Sequence, residues 1–136
     1  MILEVDLDSA VPIYQQLRDR VVEHIAGGEL GPGDPLPSTR ALAADLAVNF
    51  HTVRKAYELL RSEGLVRLNR RSGAVIARGP SSGPPQPVFL AGWREQLTTL
   101  LADAVAHGVS SPDVLTESAS VLSRLTGSHP PHVEAS

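Results

Sequence analysis

Residues 32–77 read PGDPLPSTRALAADLAVNFHTVRKAYELLRSEGLVRLNRRSGAVIA, and their pattern predicts two short helices followed by a hairpin. Ser38 is the expected N-cap of a first short helix, because its hydroxyl can accept a hydrogen bond from a free N–H group of the first turn. The apolar residues of this helix predict a narrow buried stripe, made of Ala41, Leu42, Ala44 and Leu46. Ala47 and Val48 then form a tight turn.

A second helix is expected to begin after Asn49, which is a favourable N-cap. Its apolar residues recur at the spacing of one buried helix face, and they are Val53, Ala56, Tyr57 and Leu60. This phase leaves polar and cationic side chains facing outward, namely His51, Thr52, Arg54, Lys55, Glu58 and Arg61. Gly64 suits the left-handed conformation that ends a helix.

Two short strands are predicted next, Leu65 to Leu68 and Ala74 to Ala77, joined by a basic turn. Two helices, a tight turn and a basic hairpin form the outline of a winged helix-turn-helix, whose second helix can read a major groove of DNA. The predicted fold class is mainly α with a small β-hairpin: an N-terminal winged helix-turn-helix followed by a C-terminal two-helix dimerisation element.

The domain organisation follows from composition and periodicity. Residues 1–78 form the winged helix-turn-helix, and its first helix carries a four-residue apolar repeat between Pro12 and the Gly27-Gly28 pair: Ile13, Leu17, Val21 and Ile25. Residues 79–87, GPSSGPPQP, are predicted to be a linker, and residues 127–136 a disordered tail.

Residues 88–126 are expected to form two amphipathic helices. The first, from Val88 to His107, has one apolar side made of Leu97, Leu100, Leu101, Ala104 and Val105. The second, from Pro112 to Leu125 with Ser111 as its cap, carries Val114, Leu115, Ala119, Leu122 and Leu125. Two short helices cannot bury both apolar faces alone, so packing against a second subunit is favoured over folding back on the same chain's winged helix.

Several segments of the central stretch resemble the DNA-binding domain of GntR-family bacterial transcription regulators. They are PGDPLPSTR, LAADLAV, TVRKAYELL, EGLV and the glycine before the final strand, and the resemblance covers roughly residues 10–78. The part that follows is too short for the large effector-binding or aminotransferase-like domains of many relatives. The chain is most similar to the short YtrA-type subfamily, whose members carry a helical pair for dimerisation.

The resemblance implies a function as a homodimeric transcriptional repressor of a small operon, transporter-related by analogy, which binds a two-fold operator in double-stranded DNA. The alternative is a winged-helix protein-interaction module without sequence-specific DNA binding. A small-molecule effector could act at the dimer interface, but no set of residues identifies one.

The resemblance also implies a set of DNA-binding residues: Ser38, Arg40, Asn49, His51, Thr52, Arg54, Lys55, Arg70, Arg71 and Gly73. Arg54 can bond a guanine in bidentate fashion, Asn49 and His51 a base edge or phosphate, and Thr52 a phosphate. Some members of the set have a second interpretation.

Arg40 and Lys55 can instead be solvated side chains, and Gly73 can serve the hairpin turn, which needs a positive φ. Tyr57 could stack on a base, but its helical phase favours the core. Phe50 stands where many relatives carry Arg or another polar residue, so its ring is expected to pack on a thymine methyl or on Arg40.

The charge distribution agrees with a nucleic-acid partner although the net charge is −3. Residues 36–78 hold eight Lys or Arg against three Asp or Glu, whereas residues 80–136 hold two against five. The basic charge is therefore concentrated where the motif predicts DNA.

Other function classes are disfavoured. The chain has no cysteine, which excludes disulfides and thiolate metal sites, and no histidine pair has the i, i+4 spacing of a helical metal site. Its one lysine, Lys55, lies on the second helix of the motif, so none remains for a Schiff base with pyridoxal phosphate. We therefore expect neither an enzyme nor a cofactor. The first fourteen residues are acidic, and no apolar run reaches the ~20 residues of a membrane span, so a cytoplasmic protein without a membrane partner is expected.

Overall fold

The computed structural model describes residues 3–70 and 73–127, and the chain divides into two compact units, Met1–Ser82 and Gly83–Ser136. The first unit contains α1 (Ile13–Ala26), α2 (Thr39–Leu46), α3 (Phe50–Ser62), β1 (Val66–Asn69) and β2 (Gly73–Ile76). The second contains α4 (Pro87–Ala106) and α5 (Ser111–Thr126). The predicted class, mainly helical with one small hairpin, is confirmed.

The core of the first unit lies where α3 packs against α1 and α2. All four apolar residues predicted to face inward from α3 are buried, as are Leu17, Val21 and Ile25 of α1. The side chains that this periodicity leaves outward therefore belong to the exposed face of α3, because burying one face of a helix turns the other to solvent.

The start of the chain adds to this core in a way that the sequence did not reveal. Leu3 is buried among the core residues. Gln16, a buried polar residue of α1, accepts a hydrogen bond from the backbone N–H of Asp6 at 2.7 Å and donates to the carbonyl oxygens of Asp6 and Val11 at 3.0 and 2.8 Å. These three bonds satisfy the buried amide and fasten residues 3–11 against α1.

The predicted buried stripe of α2 is partly wrong. Leu42 and Ala43 are buried and Leu46 is half-buried, whereas Ala41 and Ala44 are exposed. Alanine is small and apolar on either face, so its positions did not define the phase of this eight-residue helix. The C-cap of the helix is Ala47, which adopts the left-handed conformation with φ 56°.

The two strands pair in antiparallel register from Val66 opposite Ile76 to Asn69 opposite Gly73. Each strand is displaced by one residue from its predicted bounds. Leu65 and Ala77, the outer residues of the prediction, still meet through a 2.8 Å backbone hydrogen bond just beyond the strands.

The proline-rich connector before α2 also pairs with β2. The N–H groups of Gly33 and Leu36 donate to the carbonyl oxygens of Ile76 and Ala74, both at 2.8 Å, and the N–H of Ile76 donates to Asp34 at 2.9 Å. The connector thus covers one edge of the hairpin and ties it to the start of α2.

The second unit contains an α-helical hairpin whose described residues are nowhere fully buried. In α4, Leu97, Leu101 and Ala104 are half-buried, whereas Leu100 and Val105 are exposed in the single chain although the helical spacing puts them on the same side. In α5, Val114, Val121 and Leu125 are half-buried, whereas Leu115, Ala119 and Leu122 are exposed. The cap of α5 is Ser110 rather than Ser111, since the Ser110 hydroxyl accepts from the Asp113 N–H at 3.2 Å.

Candidate nucleic-acid interface

The exposed face of α3 begins at a capped N-terminus. The side-chain oxygen of Asn49 accepts a hydrogen bond from the backbone N–H of His51 at 2.8 Å, which confirms Asn49 as the N-cap. The cap uses the oxygen of the amide and leaves its NH₂ group outside that bond. Asn49 is exposed, so this group can donate to an acceptor that approaches the start of the helix.

Arg54 is a cationic residue near the N-terminal end of α3. It is exposed one turn into α3, and within residues 3–70 and 73–127 it forms no hydrogen bond or ion pair. Arg61, by contrast, is held by Glu58 at 2.9 Å on the same helix. Thr52 is half-buried between these outward residues and the core. The first turns of α3 therefore present the available hydrogen-bonding groups, and its last turn presents a paired cation.

Arg40 reaches the start of α3 from α2. Its guanidinium carbon lies 4.7 Å above the centre of the Phe50 ring, and the His51 ring centre lies 4.1 Å from that of Phe50 at an interplanar angle of 32°. Arg40 and His51 are exposed, whereas Phe50 is half-buried and packs against the core. Phe50 was expected to pack on a thymine methyl or on Arg40, and the structure shows the contact with Arg40.

Lys55 lies on the flank of α3 that approaches α1. Its ammonium nitrogen is 4.0 Å from the centre of the Tyr14 ring, a cation–π distance. Lys55 is nevertheless exposed, so the ammonium keeps access to solvent. The sequence suggested two interpretations of Lys55, a solvated side chain or a phosphate contact. Neither interpretation included this aromatic partner, because Tyr14 is far away along the chain.

A second link between α1 and α3 holds the orientation of the exposed helix. The Arg18 guanidinium donates to both carboxylate oxygens of Glu63, at 3.0 and 3.2 Å, and to Asp19 at 3.1 Å. Burial tends to lower the pKa of Arg18, but the hydrogen bonds and the negative charges of Glu63 and Asp19 together outweigh burial, and the pKa is raised. The bidentate geometry fixes the end of α3 relative to α1.

The hairpin supplies further cations beside α3. Arg67 and Arg70 are both exposed. Gly73 has φ +73°, and a Cβ there would meet nothing within 4 Å, so the glycine is explained by backbone conformation rather than by a close contact. Arg71 lies outside the described residues. Within the described part, the hairpin therefore adds an exposed basic edge to the surface of the first unit.

Two further residues singled out in the sequence have structural roles. The Ser38 hydroxyl accepts a hydrogen bond from the Ala41 N–H at 3.1 Å, which confirms it as the N-cap of α2. Tyr57 is 3% exposed, which confirms its place in the core.

We call the outward residues of α2, α3 and the hairpin the basic face, defined by Arg40, Asn49, His51, Thr52, Arg54, Lys55 and Arg70.

In the part of the chain that the structure describes, no group of three or more His, Asp or Glu side chains is arranged to hold a metal ion. Among the same residues, no helix combines the length and apolar character needed to cross a membrane.

Comparison with known proteins identifies the family. A family model described as bacterial regulatory proteins, gntR family, matches residues 13–76, which include all of α1, α2, α3 and the hairpin. The HTH-type transcriptional repressor YtrA of Bacillus subtilis is 35% identical over 107 residues, which cover 79% of this chain and 82% of that protein. The chain belongs to the GntR family. Two other relatives, the HTH-type transcriptional regulators Rv1152 of Mycobacterium tuberculosis and SCO4628 of Streptomyces coelicolor, are matched over smaller shares of their own length, 63% and 38%.

A solved structure of YtrA from Sulfolobus acidocaldarius, a GntR-family transcription factor, is 40% identical with a TM-score of 0.61, over 78% of this chain and 99% of that one. A transcriptional antiterminator from Listeria monocytogenes EGD-e is 26% identical with a TM-score of 0.86, over 99% of this chain and 98% of that one. The DNA-binding domain of AraR, solved in complex with its operator ORX1, is 29% identical with a TM-score of 0.51, over 55% of this chain and 96% of that domain. This GntR-family chain is a DNA-binding transcription regulator of the YtrA type, with a winged helix-turn-helix fold.

Proposed function

We propose that the chain is a homodimeric repressor that recognises a specific two-fold operator through the basic face. The observation that carries the proposal is the exposed, unpaired guanidinium of Arg54 beside the capped start of α3. An arginine that is already paired must break that pair before it can bond a base, whereas Arg54 has no such pair to lose within the described residues. Because its partner is DNA, we place the protein in the cytoplasm.

The proposed contacts divide into two kinds. Arg54, with Asn49 and His51, reads base edges in the major groove, where bidentate and amide contacts distinguish one base pair from another. A second set of residues binds phosphates, which fixes the register of the protein on the duplex. These residues are Thr52, Lys55, Arg40 and the hairpin arginines Arg70 and Arg71. Ser38 and Gly73 act indirectly, through the helix cap and the turn. The part played by the cations makes binding salt-dependent, by about 0.9 log units per log unit of salt for each neutralised phosphate.

The proposed dimer rests on the apolar residues that α4 and α5 leave uncovered. Phe89, Trp93 and Leu100 follow each other at spacings of four and seven residues, so they share one side of α4, and they are 59%, 46% and 66% exposed. Leu115 and Leu122, seven residues apart on α5, are exposed in the same way. Helices that contact each other and still expose this much apolar surface gain stability by packing against a second copy.

The operator proposal is tested by selection from a pool of random duplexes. We expect the full chain to enrich an inverted repeat whose half-sites lie about one helical turn apart, because two identical reading helices face DNA in a two-fold dimer. Enrichment of no sequence, together with complete loss of DNA binding at moderate salt, would contradict the proposal. That outcome would favour the protein-interaction module instead.

The dimer is tested by sedimentation equilibrium with Leu100→Glu, since a carboxylate in an apolar interface is costly to bury. We expect a monomer with weaker operator affinity, because paired half-sites bind with a high effective concentration. Ala102→Glu is the matched control: it places the same charge on an exposed position of α4 away from this stripe, and it should stay dimeric. Trp93 is the only tryptophan of the chain, so a shift of its emission on dilution reports the same interface.

A further inference from the structure

The side chains of Arg40, Phe50 and His51 form a stack that joins the two helices of the helix-turn-helix. Arg40 is the second residue of α2, and Phe50 is the first residue of α3. The guanidinium carbon of Arg40 is 4.7 Å from the Phe50 ring centre, and the two aromatic ring centres are 4.1 Å apart. Phe50 packs on the core, so the two polar members of the stack rest on a fixed ring at the protein surface.

The way in which Arg40 uses the ring leaves its hydrogen-bonding capacity intact. The attraction of a guanidinium to the face of an aromatic ring uses none of its five N–H donors in a hydrogen bond. Within the described residues, none of these donors has a hydrogen-bond or ion-pair partner. The stack therefore holds Arg40 in place without occupying the atoms that can bind a phosphate or a guanine.

We propose that Phe50 is a positioning residue for operator recognition: its ring pre-orders Arg40 and His51 on the basic face before DNA binds. This inference rests on the proposed function. A long side chain that is already held in one place loses less conformational freedom on binding than a freely moving one. For an exposed cation–π contact the effect corresponds to about a two- to five-fold gain in affinity.

The test is a double-mutant cycle read by fluorescence anisotropy on the duplex that the wild-type chain enriches. Phe50→Leu should weaken binding about two- to five-fold, and the loss should be smaller when Arg40 is already alanine. Phe50→Tyr keeps the ring and should bind like the wild type. If Phe50→Leu reduces the affinity by the same factor in the wild-type and in the Arg40→Ala backgrounds, the inference is overturned, because Phe50 would then act independently of Arg40.

Two further measurements keep the inference testable if Phe50→Leu fails to fold. Phe50→Met keeps a long apolar side chain against the core but removes the ring, and it should lose about the same two- to five-fold. Wild-type affinity in Phe50→Met would overturn the inference. In the free protein, the side-chain protons of Arg40 should show ring-current NMR shifts that Phe50→Tyr preserves, and their absence in the wild type would also overturn it.

The cycle separates this inference from the function on which it rests. Enrichment of no duplex by the wild-type chain would overturn the proposed function, and the positioning role with it. A wild-type chain that selects an operator but shows purely additive losses would overturn the positioning role alone.

Discussion

The phenolic hydroxyl of Tyr57 donates a 2.7 Å hydrogen bond to the carbonyl oxygen of Pro37, which lies twenty residues earlier in the chain. Tyr57 is in the middle of α3, and Pro37 immediately precedes Ser38, the cap of α2. The bond therefore connects α3 to the start of α2, the helix that packs on it. Burial of the phenol also raises the pKa of Tyr57.

Tyr57→Phe keeps the ring in the core and removes the hydroxyl. It should lower the free energy of unfolding by about 1 to 3 kcal/mol, because the carbonyl of Pro37 loses its buried partner. Urea unfolding at pH 7 measures this difference. Ser62→Ala, which removes an exposed hydroxyl bonded to the carbonyl of Leu59 on the same helix, is the control and should cost less.

The pH dependence of the same pair has a definite sign. The pKa of Tyr57 is higher in the folded chain than its ordinary value near 10, so above that pH the unfolded state releases the proton first. The stabilising contribution of the hydroxyl is thus complete below about pH 10 and falls as the pH rises further. The difference in unfolding free energy between wild type and Tyr57→Phe should be constant from pH 7 to 9 and shrink at pH 11. A difference that grows at pH 11 would contradict this account.

Asn49→Asp separates helix capping from DNA binding. Aspartate caps a helix as well as asparagine does, so the melting temperature should stay near that of the wild type. The carboxylate has no donor and repels phosphate, so operator affinity should fall by at least tenfold, or about 1.4 kcal/mol. Asn49→Ala is the comparison, and it should lose both stability and affinity. Unchanged affinity in Asn49→Asp would mean that Asn49 only caps α3.

Arg70→Ala should weaken binding to all sequences to a similar extent. A residue that binds a phosphate carries no base preference, so its loss should reduce the slope of log affinity against log salt by about 0.9. The comparison is made on the enriched duplex and on a scrambled one. A loss confined to the enriched duplex would instead assign Arg70 to base reading.

Lys55→Met distinguishes the two partners of Lys55. Methionine keeps much of the aliphatic stem on the Tyr14 ring but removes the charge, so a phosphate contact predicts a reduction of the salt slope by about 0.9 with little change in stability. Denaturant unfolding and a salt titration are measured on the same variant. Reduced stability with an unchanged slope would show that the ammonium serves only the link between α1 and α3.

Much of the first unit could be predicted from its sequence. The periodicity of Val53, Ala56, Tyr57 and Leu60 is strong, and it gave both the buried face of α3 and the outward position of Arg54. Local hydrogen bonding likewise predicted the caps Ser38 and Asn49, because capping depends on residues only two or three positions apart.

The features that the sequence did not reveal depend on long-range contacts. The connector from Gly33 to Leu36 pairs with β2, but its sequence has no strand pattern, because its proline and glycine are typical of a loop. The contact of Lys55 with Tyr14 and the three hydrogen bonds of Gln16 join segments whose proximity appears only in the folded chain. The alanines of α2 gave the wrong face because their burial is set by the neighbouring helix.

Base reading by α3 is tested most directly by a binding titration of Arg54→Ala against the enriched duplex and its single-base-pair variants. If Arg54 bonds a base, the wild-type preference at one base pair of each half-site should disappear, at a cost of about 1 to 3 kcal/mol, while preferences elsewhere remain. Unchanged affinity and unchanged preference at every base pair would show that α3 does not read the operator through Arg54.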